Sequence, residues 1–361
     1  MKKRPEQGRI AGLRRLMAAE GVGSLLVKRR EDVRYLSGFT GSAGALLVSP
    51  GRAFLITDFR YQVQSRKETA GISIVIQKKD FYTALRDTAD RARLDALWFD
   101  ESSFTLEDLK KLKKLGLRAR EHRDLVRELR LRKDRHELAQ IRLAVRRAEE
   151  SFRELKPFIK PGATERELAL RLEFLMRGKG ARRAAFDTIV ASGGNGAMPH
   201  ASVTNRRIKK GDLVTIDFGA EADGYLCDIT RTLCVGRPST TQREIHELVL
   251  KAQESAIASA NIGAACRTVD AAAREVIKQA GHGKHFGHGT GHGVGLMVHE
   301  GPSVSPLSKD RVEKDMVFTV EPGVYIPGWG GVRIEDMVLA TGTGARLLTT
   351  LPRDLDGLRN L

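Results

Sequence analysis

The stretch "DLVTIDFGAEADGYLCDITRTLCVG", residues 212 to 236, decides the fold of the C-terminal part of this chain. Two apolar runs of the β type are joined by the turn-like segment "EADG", which predicts an antiparallel hairpin. With Glu221 to Gly224 as the turn, Asp217 and Asp228 face each other on neighbouring strands. Like charges that are directly opposed across a hairpin destabilise it, so this pair indicates a bound cation.

A second stretch repeats the arrangement: "VFTVEPGVYIPGWGGVRIEDMVLAT", residues 317 to 341. Glu321 ends one apolar run and Glu335 lies in another, with a turn rich in proline and glycine between them. Two more carboxylates therefore come together in a second hairpin-like segment.

Histidines and glycines alternate in a third stretch, "FGHGTGHGVGLMVHE", residues 286 to 300. Four carboxylates with one histidine make an oxygen-rich set that suits hard or borderline ions, Mn²⁺ or Co²⁺ ahead of Zn²⁺. Carboxylates that bridge two ions about 3.5 to 4 Å apart are typical of hydrolytic sites. The three stretches together predict a site for two divalent metal ions.

Composition limits the class of protein. At about 100 to 200 residues per domain, 361 residues predict two domains, and 41% hydrophobic with 30% charged residues is typical of globular proteins. We find no apolar segment of the roughly 18 residues that a membrane span needs, and no hydrophobic signal region behind the basic N-terminus. These features and only three cysteines predict a cytoplasmic protein with no membrane partner.

The net charge of +17 raises the possibility of a nucleic-acid partner, because a basic field attracts phosphates. Residues 109 to 147 carry fifteen lysines and arginines against five acidic residues. Much of this stretch has the pattern of one long helix, so a solvated basic helix face explains the charge better than a nucleic-acid site does.

The first part of the chain, residues 1–125, alternates helical and strand patterns, which predicts a small α/β domain. Short apolar runs predict its strands at 24–27, 44–48, 53–57, 72–76 and 96–99. The remainder, residues 126–361, predicts a larger α+β domain with mostly antiparallel sheet. Thr164 and Glu167 have the spacing of a capping box at the start of one of its helices.

The segments "TIDFGAEADGYLCDITRT", "GHGTGHGVGLMVHE", "TVEPGVY" and "GVRIEDMV" together resemble the metallopeptidase family of aminopeptidase P, prolidase and methionine aminopeptidase, whose catalytic domain has the pita-bread fold. The resemblance implies five metal ligands: Asp217, Asp228, His292, Glu321 and Glu335. It further implies that Asp228 and Glu335 bridge both ions, while Asp217 belongs to one ion and His292 to the other.

Further residues take on roles through the same resemblance. His200, His288 and His299 match substrate-binding positions, and His200, His299 and Glu321 are implied as catalytic. Arg333 is expected to brace a ligand carboxylate, because metal ligands depend on such partners for their orientation. The alternating glycines from 289 to 295 predict a close approach of backbone that only a missing Cβ permits.

The N-terminal segments "VRYLSGFTGSAGALLV" and "ITDFRY" resemble the creatinase-type domain of aminopeptidase P and prolidase. The implied activity is hydrolysis of the Xaa-Pro bond of a peptide whose second residue is proline, by an enzyme that forms a homodimer. Whether the substrate is a dipeptide, as for prolidase, or a longer peptide stays open. The alternative function is a catalytically inactive pita-bread module that binds protein or nucleic acid.

Overall fold

The computed structural model of the chain describes residues 5–359. These residues form two compact units, and the division falls between Arg130 and Leu131. The domain boundary expected from the sequence, between 125 and 126, falls on the same short helix, Leu125–Leu131. None of the helices in the described part combines the length and apolar character that a membrane crossing requires.

Helices and strands occur in both units. Within residues 5–359 the helices are α1 (Pro5–Ala19), α2 (Arg30–Ser37), α3 (Gln62–Glu68), α4 (Phe81–Arg91), α5 (Leu106–Lys114), α6 (Leu125–Leu131), α7 (Arg135–Leu155), α8 (Glu165–Gly178), α9 (Thr240–Ser259), α10 (Cys266–Gln279) and α11 (Leu355–Arg359). The strands are β1 (Leu25–Val27), β2 (Ala45–Val48), β3 (Ala53–Thr57), β4 (Ser73–Ile76), β5 (Ala96–Asp100), β6 (Arg118–His122), β7 (Ile189–Ser192), β8 (Leu213–Phe218), β9 (Glu221–Ala222), β10 (Tyr225–Leu226), β11 (Ile229–Cys234), β12 (Gly291–Gly293), β13 (Glu300–Val304), β14 (Val317–Val320), β15 (Gly323–Ile326), β16 (Gly330–Arg333), β17 (Asp336–Thr341) and β18 (Gly344–Leu347).

The N-terminal unit is the predicted α/β domain, built on one six-stranded sheet in the order β4-β3-β2-β1-β5-β6. The structure confirms all five predicted strands. Their apolar runs supply residues of the buried core, among them Leu47, Ile56 and Leu97. Strand β6 was not predicted. Its sequence "RAREH" is almost wholly exposed at the sheet edge and has no apolar pattern.

The prediction of one long basic helix is wrong in one respect, because the structure divides this segment into α6 and α7. Asp134 ends the interruption as the N-cap of α7, where its carboxylate accepts the backbone N–H of Glu137. Nor is the whole basic stretch solvated. Arg130 is buried with its Nη1 2.6 Å from Asp32 Oδ1, and the side chain of Lys133 is fully buried with its Nζ 2.9 Å from Glu300 Oε1.

The C-terminal unit has the predicted α+β architecture, and its strand ladders are antiparallel throughout residues 131–359. Two of its sheets frame the site: the three-stranded β11-β8-β7 and the five-stranded β13-β12-β14-β17-β18. Helices α9 and α10 share a buried apolar core with the five-stranded sheet. The capping box is confirmed at the start of α8, where Thr164 Oγ1 accepts the N–H of Glu167.

The register expected for the first hairpin is wrong by two residues in the pairing, because the turn is centred one residue further along the chain. Ala222 pairs with Tyr225, so the turn is the pair Asp223-Gly224 rather than the four residues beginning at Glu221. Both turn residues have positive φ, 45° and 80°, which Asp-Gly tolerates well. Asp217 consequently lies opposite Thr230, and Asp228 is its diagonal neighbour instead of its direct partner.

Candidate metal centre

A cavity of about 590 Å³ in the C-terminal unit, here called the central cavity, collects every residue that the sequence assigns to the site. Asp217 and Asp228 are diagonal rather than direct neighbours, but both still line the central cavity, because the side chains of diagonal cross-strand neighbours can reach each other. The site residues on its wall are Asp217, Asp228, His292, Glu321, Glu335, His200, His288, His299 and Arg333.

The two glutamates come together through the β14–β17 ladder. Val320 and Asp336 form the last pair of that ladder, and Glu321 and Glu335 are the residues directly beyond this pair on the two segments. The hairpin β15–β16 forms from the residues between them. A bridge between Thr230 and Glu335 then joins this segment to the aspartate hairpin, with Glu335 N 3.1 Å from Thr230 O.

His292 lies on the short strand β12, where the predicted close approach of backbone is confirmed. A Cβ on Gly291 would lie 2.0 Å from Thr319 O, and a Cβ on Gly293 would lie 1.9 Å from Gly301 O. Any larger residue at these two positions would push the neighbouring strands apart. The glycines therefore let β12 insert between β13 and β14 and bring His292 to the carboxylates.

The ring of His292 is oriented for coordination through Nε2. Its Nδ1 lies 3.2 Å from Gly293 O, which accepts a hydrogen bond when the ring proton is on Nδ1 and leaves the Nε2 lone pair free. That Nε2 is 3.2 Å from Glu321 Oε1 and 3.6 Å from Asp228 Oδ2.

The arrangement fits a divalent cation. Asp228, His292 and Glu335 each offer one ligand atom, and these three atoms lie within 4.8 Å of one another. Two buried carboxylate oxygens, Asp217 Oδ1 and Glu335 Oε1, have no hydrogen-bond partner among residues 5–359. A buried carboxylate without a partner is costly, and a cation supplies the missing interaction.

The pKa shifts have the same cause. Burial raises the pKa of Asp217 and, to a greater extent, those of Asp228 and Glu335, and neighbouring carboxylates add to each shift. Burial also acts to raise the pKa of Glu321, but the hydrogen bond and charge of His292 outweigh it and lower this pKa to about 2. A cation in the centre would favour the charged form of all four carboxylates.

Arg333 supports the carboxylate cluster through a network of hydrogen bonds. It is 3% exposed, and its Nη2 donates to Asp217 Oδ2 at 2.7 Å. Its Nη1 donates to Tyr325 Oη at 3.0 Å and its Nε to Thr230 Oγ1 at 3.1 Å. Thr230 Oγ1 in turn donates to Glu335 Oε2 at 2.6 Å. Arg333 thus links Asp217 to the residue that orients Glu335.

Thr230 and Tyr325 were not predicted as members of the site. Thr230 follows Asp228 by two residues, and the alternation of side chains along an extended chain predicts that both lie on the same side. That alternation was the available signal for Thr230. The hydroxyl of Tyr325 reaches both Arg333 and His288, a contact that depends on how the β15–β16 hairpin folds back.

The three further histidines lie around the rim of the cavity. His288 Nε2 is 2.9 Å from Tyr325 Oη, and the ring centres of His292 and His299 are 4.3 Å apart. His200 is exposed and follows a short 3₁₀ turn, Gly193–Ala197. Burial lowers the pKa of His288 and of His299, so both rings are neutral near pH 7.

An α+β unit with carboxylates and one histidine converging on a cavity is the architecture of a pita-bread metallopeptidase. The chain belongs to metallopeptidase family M24, whose model matches residues 139–342, and residues 9–132 match the creatinase/prolidase N-terminal domain. Membership implies divalent metal ions, which the cavity residues fit.

Named relatives extend over nearly the whole chain. An Xaa-Pro dipeptidase of Pyrococcus horikoshii is 37% identical, across 94% of this chain and 96% of its own length. The solved structure of an Xaa-Pro dipeptidase from Bacillus anthracis matches with a TM-score of 0.94 at 38% identity, covering 97% of this chain and 99% of that one. An X-Pro aminopeptidase structure from Thermotoga maritima matches with a TM-score of 0.88 at 38% identity, over 95% and 99%.

Proposed function

We propose that this chain is a metal-dependent exopeptidase that hydrolyses the Xaa-Pro bond at the N-terminus of peptides or dipeptides. The observation that carries this proposal is the convergence of four carboxylates, a histidine and three further histidines on the central cavity. The names of relatives that share nearly the whole chain support the substrate class. The Xaa-Pro bond is a tertiary amide with restricted neighbours, which calls for a dedicated pocket.

Asp217, Asp228, His292, Glu321 and Glu335 are proposed to hold two divalent ions, with Mn²⁺ favoured and Co²⁺ or Zn²⁺ as alternatives. The oxygen-rich donor set supports the hard and borderline ions. When bound, the ions supply Lewis-acid activation of water and of the scissile carbonyl. A homodimer is part of the same proposal, and light scattering of the purified protein tests it.

Residues of the protein transfer the proton and stabilise the charge that develops in the transition state. Glu321 accepts the proton of the water that attacks the carbonyl carbon, and it returns this proton to the proline nitrogen as the C–N bond breaks. Its low pKa keeps the carboxylate ionised at neutral pH. His299 and His200, on the wall of the same cavity, donate hydrogen bonds to the carbonyl oxygen or to the group beyond proline.

Hydrolysis of Ala-Pro by the purified protein tests the function. We expect turnover with added Mn²⁺ or Co²⁺, its loss on chelation, and its recovery when the ion is restored. The alternative, an inactive binding module, predicts a protein that purifies without stoichiometric metal and stays inactive with each ion. Asp-Ala or Ala-Ala serves as the control dipeptide, since a general dipeptidase would cleave it equally well.

A His299→Ala variant tests the hydrogen-bonding role. We expect kcat for Ala-Pro to fall about tenfold, the value of one hydrogen bond of about 1.4 kcal/mol in the transition state. His282→Ala is the matched control, because His282 lies outside the central cavity and contacts His285. Equal rates for the His299 variant and the unsubstituted protein would contradict the role.

A further inference from the structure

A second cavity, of about 560 Å³, adjoins the central cavity in the C-terminal unit. Three residues belong to the walls of both cavities: Asp187, Ile189 and His200. Each volume lies within the range of about 300 to 1,000 Å³ that is usual for ligand pockets. The shared wall makes the second cavity a continuation of the first, on the side where His200 lies.

One wall of the second cavity is formed by Asp187, Thr188 and Ile189, at the N-terminal end of strand β7, the last strand of its sheet. The N–H of Ser192 donates to Glu165 Oε1 at 2.8 Å and so points away from β8. In an antiparallel ladder every second residue points the same way, which directs the N–H groups of Val190 and Thr188 to this outer side. At the end of β7 that lines the cavity, such an edge can accept the backbone of an extended peptide.

Thr188 is the residue of this edge with unused hydrogen-bonding capacity. It is 5% exposed, and its hydroxyl has no hydrogen-bond partner in the part of the chain that the structure describes. Buried polar groups are paired in most proteins, so an unpaired one calls for a partner. A peptide backbone lying along β7 supplies that partner.

The opposite wall is formed by helix α8, through Arg166, Ala169, Leu170 and Glu173. The guanidinium of Arg166 is exposed and forms no ion pair with any residue between 5 and 359. It lies in the first turn of α8, where the helix dipole also favours negative charge. Glu173 lies two turns further on, about 10 Å along the axis, so this wall is cationic at one end.

We propose that the second cavity binds the substrate residues that follow the proline, so that the enzyme accepts peptides longer than a dipeptide. The chain of a tripeptide passes His200, pairs with the free edge at Thr188 and presents its terminal carboxylate to Arg166. A planar guanidinium suits a carboxylate because two parallel hydrogen bonds form. This inference rests on the proposed Xaa-Pro activity and specifies its substrate class.

The test compares Ala-Pro, Ala-Pro-Ala and the amide of Ala-Pro-Ala as substrates of the metal-loaded protein. Ser202→Trp fills the second cavity from an exposed position that is not part of the central cavity. We expect kcat/KM for Ala-Pro-Ala to fall at least about tenfold, mainly through KM, and the value for Ala-Pro to stay within about twofold. An apolar ring in this space excludes the third residue while leaving the dipeptide site open.

Arg166→Gln tests the carboxylate contact separately. We expect a loss of about tenfold for the free acid of Ala-Pro-Ala, the value of one charge-assisted hydrogen bond, and little change for its amide. Arg177→Gln is the matched control, because it removes the same charge from an exposed position of α8 outside both cavities. This control should leave all three substrates unchanged.

The outcomes separate the inference from the proposed function. Cleavage of Ala-Pro without cleavage of Ala-Pro-Ala overturns the second subsite and leaves the Xaa-Pro activity standing. Equal losses on dipeptide and tripeptide in Ser202→Trp also overturn it, because the cavity would then have no role specific to the third residue. If no Xaa-Pro substrate is cleaved with any ion, the proposed function fails and the inference fails with it.

Discussion

A Glu321→Gln variant is expected to lose about 10²- to 10⁴-fold in kcat for Ala-Pro, the range typical of removing a positioned proton acceptor. Glutamine keeps the size of the side chain and can still meet Thr319 Oγ1, which lies 3.1 Å from Glu321 Oε1. It cannot take a proton from water at neutral pH, and it is a poorer ligand for a divalent ion. Folding should therefore be preserved while turnover is lost.

Steady-state kinetics and metal analysis together check this expectation. Glu275→Gln is the control, since Glu275 is exposed on α10, where it accepts a hydrogen bond from Gln279 Nε2 at 3.2 Å and lies 3.9 Å from Lys278 Nζ. If the variant keeps its metal but loses turnover, Glu321 acts in the proton transfer. If it loses both the metal and the turnover, Glu321 acts chiefly as a metal ligand. A variant with kcat within tenfold of the unsubstituted protein is incompatible with either role.

Arg231→Met is expected to lower the free energy of unfolding by about 3 to 5 kcal/mol, the usual cost of removing one partner from a buried ion pair. Arg231 is fully buried, and its Nη2 lies 2.6 Å from Asp336 Oδ1. The same guanidinium donates to the backbone carbonyls of Thr230, Glu335, Leu351 and Pro352. Methionine keeps most of the volume but removes the positive partner of the Asp336 carboxylate, which retains only the neutral donors Gln253 and Thr349, and it removes the guanidinium hydrogen bonds to these carbonyls.

Urea unfolding checks this prediction, with Arg243→Met as the matched control. Arg243 pairs with Asp356 at 3.0 Å, but the two side chains are 41% and 65% exposed, so its loss should change the free energy of unfolding far less than the loss of Arg231 does. Adding Asp336→Asn to Arg231→Met should recover part of the loss, because the lone buried charge is removed. Equal decreases in the free energy of unfolding for the two arginine variants would show that burial does not increase the contribution of the ion pair to stability.

The sequence predicted the chemistry of the site better than its geometry. Residue types in three stretches selected five residues, and the family resemblance added four more, and all nine lie on one cavity. The hairpin register was missed because "EADG" permits both a four-residue turn and the two-residue Asp223-Gly224 turn, and only the positive φ angles distinguish them. The roles of Thr230 and Tyr325 depend on contacts between strands that are distant in sequence.

For the fold as well, local sequence patterns predicted some elements and missed others. Buried strands of the N-terminal unit have apolar runs, so local patterns were enough to predict them. The exposed strand β6 has none, because an edge strand needs only backbone pairing on one side. The break between α6 and α7 depends on Lys133, whose N–H donates to Asp315 O and whose ammonium pairs with Glu300. Both partners are far away in sequence, beyond the reach of any local pattern.

The bridge between Thr230 and Glu335 has a consequence for the order in which the centre can be assembled. Each of the two carboxylate segments closes a short loop, but the bridge joins residues 105 positions apart. Because closure entropy grows with the logarithm of loop length, docking the two segments costs about 2 kcal/mol more than closing either one. The meeting of the two carboxylate segments is therefore the closure with the largest entropic cost in building this centre, and the complete set of carboxylates exists only after it.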